Sequence, residues 1–118
     1  MKIDDTAFGS ITIDKTLYQH DVLIRQSGQV EERQKRLSRE QYGTSHLLSL
    51  EEAQFIYENN GKLLIIGTGQ SGNLKLSPSA EVFFAQHDIK VVTEPTPRAI
   101  VVFNEMPDPK IGLFHVTN

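Results

Sequence analysis

The segment that most constrains this chain is Lys62–Gly72, an apolar run that ends in three glycines, Gly67, Gly69 and Gly72. The apolar residues predict a buried β-strand, and the glycines predict a tight turn directly after it. Their G-x-G-x-x-G spacing is also that of a dinucleotide-binding fingerprint. In that fingerprint the third glycine lies inside a helix, whose free N–H groups point at the pyrophosphate.

The next helix is predicted to begin too late for a dinucleotide site. Ser77 suits an N-cap and Pro78 the first helical position, because proline has no N–H to leave unpaired. Asn73–Leu76 therefore separate the last glycine from the helix. We interpret the loop as a structural turn or as a nest of N–H groups that contacts a ligand. The dinucleotide alternative stays open, because Glu94 ends the next apolar run, about 20 residues on, where a ribose-binding acid would be expected.

The rest of the chain predicts an α/β layer preceded by an N-terminal β region. Strands are predicted at 8–13, 21–26, 62–66, 89–94 and 111–116. Helices are predicted from the capping box Ser49–Glu52, from Ser77-Pro78 and from Thr96-Pro97, although 99–103 would also suit a buried strand. The segment Val30–Glu40 has almost no apolar stripe, so we expect it to be extended or irregular.

The composition excludes several classes of protein. The chain has 118 residues, 38% hydrophobic and 23% charged, which is typical of a globular domain. It has no cysteine, so disulfides, thiolate nucleophiles and Cys-ligated metals are excluded. A net charge of −3 argues against nucleic acid, and no apolar run approaches the about 20 residues of a membrane span. Met1–Asp5 resembles neither a signal nor a transit peptide, so we expect a cytoplasmic protein. We also expect the protein to bind no cofactor.

A basic run at residues 33–39 is the first candidate for chemistry. It contains Arg33, Lys35, Arg36 and Arg39 and is flanked by Glu31, Glu32 and Glu40, a pattern that most often forms a solvated face. In an extended segment Arg33 and Lys35 would point the same way, since alternate residues share a face. Two cations that converge on the glycine loop would form an anion pocket.

Two further motifs are weaker. The loop comes within one residue of the nucleophile elbow G-x-S-x-G around Ser71, but Asn73 stands where the last glycine belongs, so a serine hydrolase is a minor alternative. The four histidines, His20, His46, His87 and His115, have no spacing typical of a local metal pair, and we expect no metal. Of the four, His115 is the candidate for a functional role, because it lies near the end of a predicted buried strand.

Several short motifs together resemble the Mth938-like family of small α/β proteins. They lie in order along the whole chain at 8–11, 33–35, 42–46, 64–69, 95–99, 103–104 and 114–117. The resemblance implies a single domain over residues 1–118. It also implies a three-layer fold with a central mixed sheet, packed helices and an extra N-terminal β layer.

The family resemblance implies little about function. Its members are mostly uncharacterised; one mitochondrial branch acts as a respiratory complex I assembly factor, and an animal cytosolic branch is linked to adipocyte differentiation. A suspected cleft in such proteins maps here to Arg33, Lys35, Tyr42, Gly67, Thr68, Gly69 and Gln70. Family members often end in His-x-Thr-Cys, whereas this chain has His115-Val-Thr-Asn118, so a mechanism that needs the thiol could not operate.

Two functions follow as hypotheses. The first is a non-catalytic binding or assembly module with a protein partner, which acts as a monomer or weak homo-oligomer. The alternative is a binder of small carboxylate or phosphate anions, or an enzyme acting on them, that uses the glycine loop with Arg33 and Lys35.

Overall fold

A five-stranded mixed sheet forms the centre of the fold. The computed structural model describes all residues from Met1 to Asn118. The N-terminal elements are β1 (Ile3–Ala7), β2 (Ser10–Ile13), β3 (Thr16–Tyr18), β4 (Val22–Ile24), β5 (Val30–Glu32), α1 (Arg36–Tyr42), β6 (Leu47–Leu48) and α2 (Leu50–Ile56). They are followed by β7 (Leu63–Thr68), β8 (Lys75–Leu76), α3 (Pro78–Gln86), β9 (Lys90–Glu94), α4 (Thr96–Glu105) and β10 (Ile111–His115).

The sheets account for the layering. The central sheet has the strand order β5-β4-β10-β7-β9, with β10, β7 and β9 parallel and the first two pairs antiparallel. A separate antiparallel sheet, β1-β2-β3, covers part of one face, and β6 pairs with β8 in a short parallel ribbon. The α/β fold class with a central mixed sheet, packed helices and an extra N-terminal β layer is therefore confirmed.

Each central strand supplies both faces of the sheet, because successive side chains point to opposite sides. Leu64 and Ile66 join one buried cluster with α2 and α3, whereas Ile65 joins a second cluster with α4 and the N-terminal sheet. In the same way Leu113 faces the first cluster and Phe114 the second. The central sheet is thus buried on both faces.

The start of α3 follows the predicted capping. The Ser77 hydroxyl accepts the N–H of Ala80 at 3.1 Å, and Pro78 opens α3. The segment from Thr96 is a helix and not a strand, as α4 shows. None of the four helices has the length and apolar character needed to cross a bilayer.

The prediction that Val30–Glu40 is extended or irregular was wrong in its second half, where α1 forms. This helix buries a polar side chain, Ser38, in place of an apolar stripe. Its exposed side carries an Arg36–Glu40 ion pair one turn apart, and Gly43 ends it in the left-handed conformation. A pattern search for apolar residues could not find such a helix.

Three smaller expectations also failed. Strands β1 and β3 were not predicted, because β1 is mostly polar and exposed and β3 has only three residues, with Leu17 exposed. Helix α2 ends at Ile56, earlier than the left-handed stop that Asn59-Asn60-Gly61 predicts, although Asn60 does adopt a positive φ of 68°. The capping box at Ser49 forms only halfway: its hydroxyl accepts the Glu52 N–H at 3.1 Å, but the Glu52 carboxylate is directed elsewhere.

Candidate functional site

A buried polar cluster lies at the carboxyl ends of β10 and β7, on the side of the central sheet that faces α1 and α2. Strand alternation places His115 on the same face as Leu113, and Thr68 on the same face as Ile66. His115 and Thr68 are register partners in the parallel β10–β7 pair. Asp21 and Arg33 reach the same end of the sheet, because Asp21 precedes β4 and Arg33 follows the antiparallel β5.

Asp21 is the centre of this cluster. One carboxylate oxygen, Oδ2, lies 2.8 Å from His115 Nδ1, 2.9 Å from Arg33 Nη1 and 3.6 Å from Lys35 Nζ. The other, Oδ1, accepts the backbone N–H of Val116 at 2.8 Å. Burial acts to raise the pKa of Asp21, but the bonds from His115 and Val116 and the charge of Arg33 outweigh it. The pKa of Asp21 is therefore well below its ordinary value, and the group is a carboxylate at neutral pH.

Arg33 is buried and all three of its nitrogens are bonded. Its Nε and Nη2 donate to the two oxygens of Glu52 at 2.7 and 3.1 Å, and Nη1 donates to Asp21. Nη2 also donates to the carbonyl of Ser45 at 2.7 Å. Burial acts to lower the pKa of Arg33, but the two carboxylates raise it above the ordinary value. The guanidinium is a permanent cation shared between two buried anions.

Glu52 also binds α1. The Ser38 hydroxyl donates to Glu52 Oε1 at 2.5 Å and accepts the N–H of Ser49 at 2.9 Å. The serine thus provides the contact that the capping box assigned to Glu52. The carboxylate binds Arg33 instead, because a bidentate, charge-assisted contact is stronger than a bond to a neutral N–H.

His115 joins the cluster to the chain end and to His46. Because the Asp21 carboxylate can only accept, His115 Nδ1 donates to it, and in the neutral imidazole Nε2 is left as an acceptor. The Thr117 hydroxyl lies 3.3 Å from that Nε2. The His46 ring meets the His115 ring edge-on, with centroids 5.1 Å apart.

The sequence did not predict that a hydroxyl, an imidazole and a carboxylate, from Thr117, His115 and Asp21, would lie in a row. It singled out Ser71 as a hydroxyl and gave it no partner, whereas the structure places Thr117 beside His115. The available signal was the His-x-Thr spacing at the end of a buried strand, since residues two apart on an extended chain share a face. No local signal pointed to Asp21, which lies 94 residues from His115 along the chain.

The glycine loop is held by internal hydrogen bonds. The N–H groups of Gly69, Gln70, Gly72 and Asn73 donate to Thr96 Oγ1, Thr117 O, Gly69 O and Asn118 O, at 2.9, 2.6, 3.2 and 3.0 Å. Gly69 has a φ of +105°, and a β-carbon there would lie 2.7 Å from the His115 ring. The glycine is therefore required both by its conformation and by the close approach of His115.

The structure brings only some of the predicted site residues together. Arg33 and Lys35 do converge, but on Asp21 and not on the free edge of the loop. Gly67 lies on the opposite face, where a β-carbon would meet Phe114 and Thr96, both at 2.8 Å. The remaining three lie apart: Thr68 lines a neighbouring cleft, Gln70 Nε2 donates to Thr6 Oγ1 at 3.1 Å, and Tyr42 is exposed at the end of α1.

Comparison with known proteins gives a family. A family model described as "Protein of unknown function (DUF498/DUF598)" matches residues 3–108. The chain belongs to this family. A conserved hypothetical protein, PH1505, from Pyrococcus horikoshii OT3 has a structure with TM-score 0.93 and 33% sequence identity, and 100% of each chain is covered.

A second solved structure, MT938, aligns with TM-score 0.85 and 30% identity over 99% of this chain and 98% of its own. The resemblance to the Mth938-like family is therefore confirmed. XCC1710 from Xanthomonas campestris, at 12% identity and TM-score 0.73 over 97% of this chain and 83% of its own, shares the fold. Comparison with curated proteins gives no match.

We expect Arg33→Ala to destabilise this DUF498/DUF598 protein by about 3–5 kcal/mol, because it leaves two buried carboxylates without their cation. Arg36→Ala is the matched control, since its exposed ion pair with Glu40 contributes only about 0.2–0.5 kcal/mol. Urea unfolding monitored by circular dichroism measures both. Equal, small losses would show that Arg33 is not a structural cation.

The pH dependence of stability has a predicted sign below neutrality. Burial, together with repulsion by His115 when protonated, Arg33 and Lys35, lowers the pKa of His46. The native state then binds fewer protons than the unfolded chain below the ordinary histidine value of about 6.5. The free energy of unfolding therefore decreases as the pH falls from about 7 towards 5.

His46→Phe should reduce this pH slope, because it keeps an aromatic ring against His115 and removes the titrating group. The measurement is urea unfolding at a series of pH values. A wild-type slope retained in His46→Phe would assign the pH dependence to other groups.

Proposed function

We propose that this protein is a non-catalytic, cytoplasmic binding or assembly module whose partner is another protein. The observation that supports the proposal is that the polar groups predicted to bind a ligand are hydrogen-bonded to other groups of the protein. Arg33 is bonded to Glu52, Asp21 and Ser45, and four glycine-loop N–H groups, those of Gly69, Gln70, Gly72 and Asn73, donate to protein oxygens. Groups engaged in this way stabilise a rigid scaffold, which leaves recognition to the surface.

The surface between α2 and α3 supports the proposal. It contains a groove of about 480 Å³, hereafter the α2–α3 groove, lined by Leu50, Gln54, Pro78, Ser79, Val82, Phe83 and Gln86. Val82 is 54% exposed, and nearby on α2 Phe55 is 41% exposed. An apolar groove with a polar rim is typical of protein–protein contact surfaces. The assembly role of one branch of the Mth938-like family points the same way.

The proposal is tested by purification at near-endogenous levels from the native cells, with Val82→Glu in parallel. We expect wild type to recover a partner in stoichiometric amount, and Val82→Glu to lose it, because the variant places a charge in the apolar groove. Val101→Glu is the matched control, since Val101 is 41% exposed on α4, across the central sheet. Recovery of the chain alone, or equal recovery with both variants, would contradict the proposal.

A second candidate function, the binding of small anions, is favoured by a basic groove. This groove, of about 520 Å³, is lined by Glu32, Arg33, Gln34, Lys35, Arg36 and Arg39. The Lys35 side chain is 32% exposed, so its ammonium can reach both Asp21 and a ligand. The accessible cations of the groove, Lys35, Arg36 and Arg39, would bind a phosphate or dicarboxylate through charge-assisted hydrogen bonds.

Lys35→Ala tests this second candidate better than a change at Arg33, whose loss would disturb the fold. In a thermal-shift assay with inorganic phosphate or succinate, a ligand at about 100 times its dissociation constant adds about 2.7 kcal/mol and raises the Tm by several degrees. We expect that shift to disappear in Lys35→Ala and to persist in Lys90→Ala, an exposed lysine on β9. A wild type that responds to neither anion would remove this candidate.

A further inference from the structure

A polar cleft, separate from both grooves, lies between the glycine loop after β7 and the end of β9. It has a volume of about 470 Å³ and is lined by Thr68, Ser71, Gly72, Leu74, Lys75, Leu76, Glu81, Thr93, Glu94 and Pro95. Its position is outside the carboxyl ends of two neighbouring parallel strands, where open α/β sheets bind their ligands. Its size is that of a small-molecule site.

Thr68 points to a ligand in this cleft. The residue as a whole is only 8% exposed, but its hydroxyl opens into the cleft: it makes no hydrogen bond within the protein, and no fully buried side-chain polar atom of this fold is left without a partner. An accessible hydroxyl without a protein partner is free to donate a hydrogen bond to a ligand or to accept one from it. Strand alternation fixes the hydroxyl in this place, because Thr68 follows Leu64 and Ile66 on one face of β7.

The charged groups of the cleft are also available. Glu94 ends β9, directly beside the strand that leads into the glycine loop, and its carboxylate forms no ion pair. Lys75 and Glu81 are exposed at the rim and are likewise unpaired. The two glutamates and the lysine give the cleft a net charge of −1, which disfavours anions and favours hydroxyl donors.

We propose that this cleft binds a neutral ligand with a vicinal diol, such as a ribose or the ribose of a nucleoside, through the Glu94 carboxylate and the Thr68 hydroxyl. A carboxylate at the end of the second of two parallel strands accepts both hydroxyls of a ribose in dinucleotide-binding folds. The apolar surfaces of Leu74, Leu76 and Pro95 can cover the C–H side of the sugar.

The same geometry excludes a phosphate from the preferred ligand. Four glycine-loop N–H groups, those of Gly69, Gln70, Gly72 and Asn73, are occupied by protein oxygens, and the first turn of α3 brings the Glu81 carboxylate to the cleft. A phosphate would therefore meet the carboxylates of Glu81 and Glu94 in place of the row of free amides that holds a pyrophosphate. This binding does not depend on the proposed protein partner, because the α2–α3 groove shares no lining residue with the cleft.

The test is a ¹H–¹⁵N NMR titration of the full chain with D-ribose, adenosine, 2′,3′-dideoxyadenosine and AMP. We expect saturable shifts at Thr68, Ser71, Gly72 and Glu94 with adenosine. If ribose also causes shifts, the cleft recognises the sugar alone. If only adenosine causes shifts, the cleft recognises the base as well as the sugar. The dideoxy compound should bind at least tenfold more weakly, and AMP no more tightly than adenosine.

Variants assign the contacts. Glu94→Gln should weaken adenosine at least tenfold and Thr68→Val several-fold, while Glu105→Gln on α4 serves as the control and should bind as wild type. The spectra themselves report whether each variant is folded. Equal binding of the dideoxy compound, tighter binding of AMP, an unaffected Glu94→Gln or no saturable shift would each overturn the proposal. A response to putrescine in place of ribose would also overturn it and assign the cleft to cations.

Discussion

The ion pairs of Arg33 with Asp21 and Glu52 determine how the end of the central sheet is built. All three side chains are buried, and each charge taken out of water carries a desolvation cost of several kcal/mol. The cost is offset only if every group keeps a partner at good geometry, so the elements that carry them are fixed relative to one another. Asp21 holds the start of β4 to the end of β10, and Glu52 holds α2 to the end of β5.

This requirement explains the short helix α1. Its Ser38 hydroxyl donates to Glu52 and accepts the N–H of Ser49, so the helix packs through hydrogen bonds. The same contact leaves the Glu52 carboxylate free for Arg33. Helix α1, the N-terminus of α2 and the end of the sheet are therefore parts of one polar unit, in which removing one member leaves a buried partner unsatisfied.

Local signals could predict the elements that depend on local chemistry. The start of α3 follows from Ser77 and Pro78, and the buried strand β7 follows from its aliphatic run. The late start of the helix after the glycines follows from the four residues that separate Gly72 from Ser77. Contacts between residues distant in sequence could not be predicted in this way. The partner of Glu52 is 19 residues away and that of His115 is 94 residues away, and neither leaves a periodic trace. Sequence reasoning therefore placed Arg33 and Lys35 together correctly, but could not show that their shared partner is Asp21.

The glycine loop shows how one spacing can serve two physical needs. In a dinucleotide fold the glycines let a backbone approach a pyrophosphate. Here Gly67 lets Phe114 and Thr96 approach β7, and Gly69 lets the His115 ring approach the loop.

The strand that enters the loop still ends beside β9, so the geometry that places an acid next to the glycines is retained without the phosphate-binding helix. Glu94 and Thr68 then face a cleft whose back wall is rigid, because Thr68 is the register partner of His115 and His115 is held by Asp21. The buried ion pairs thus give the cleft a preorganised wall, and they do so without contributing a charge to its lining.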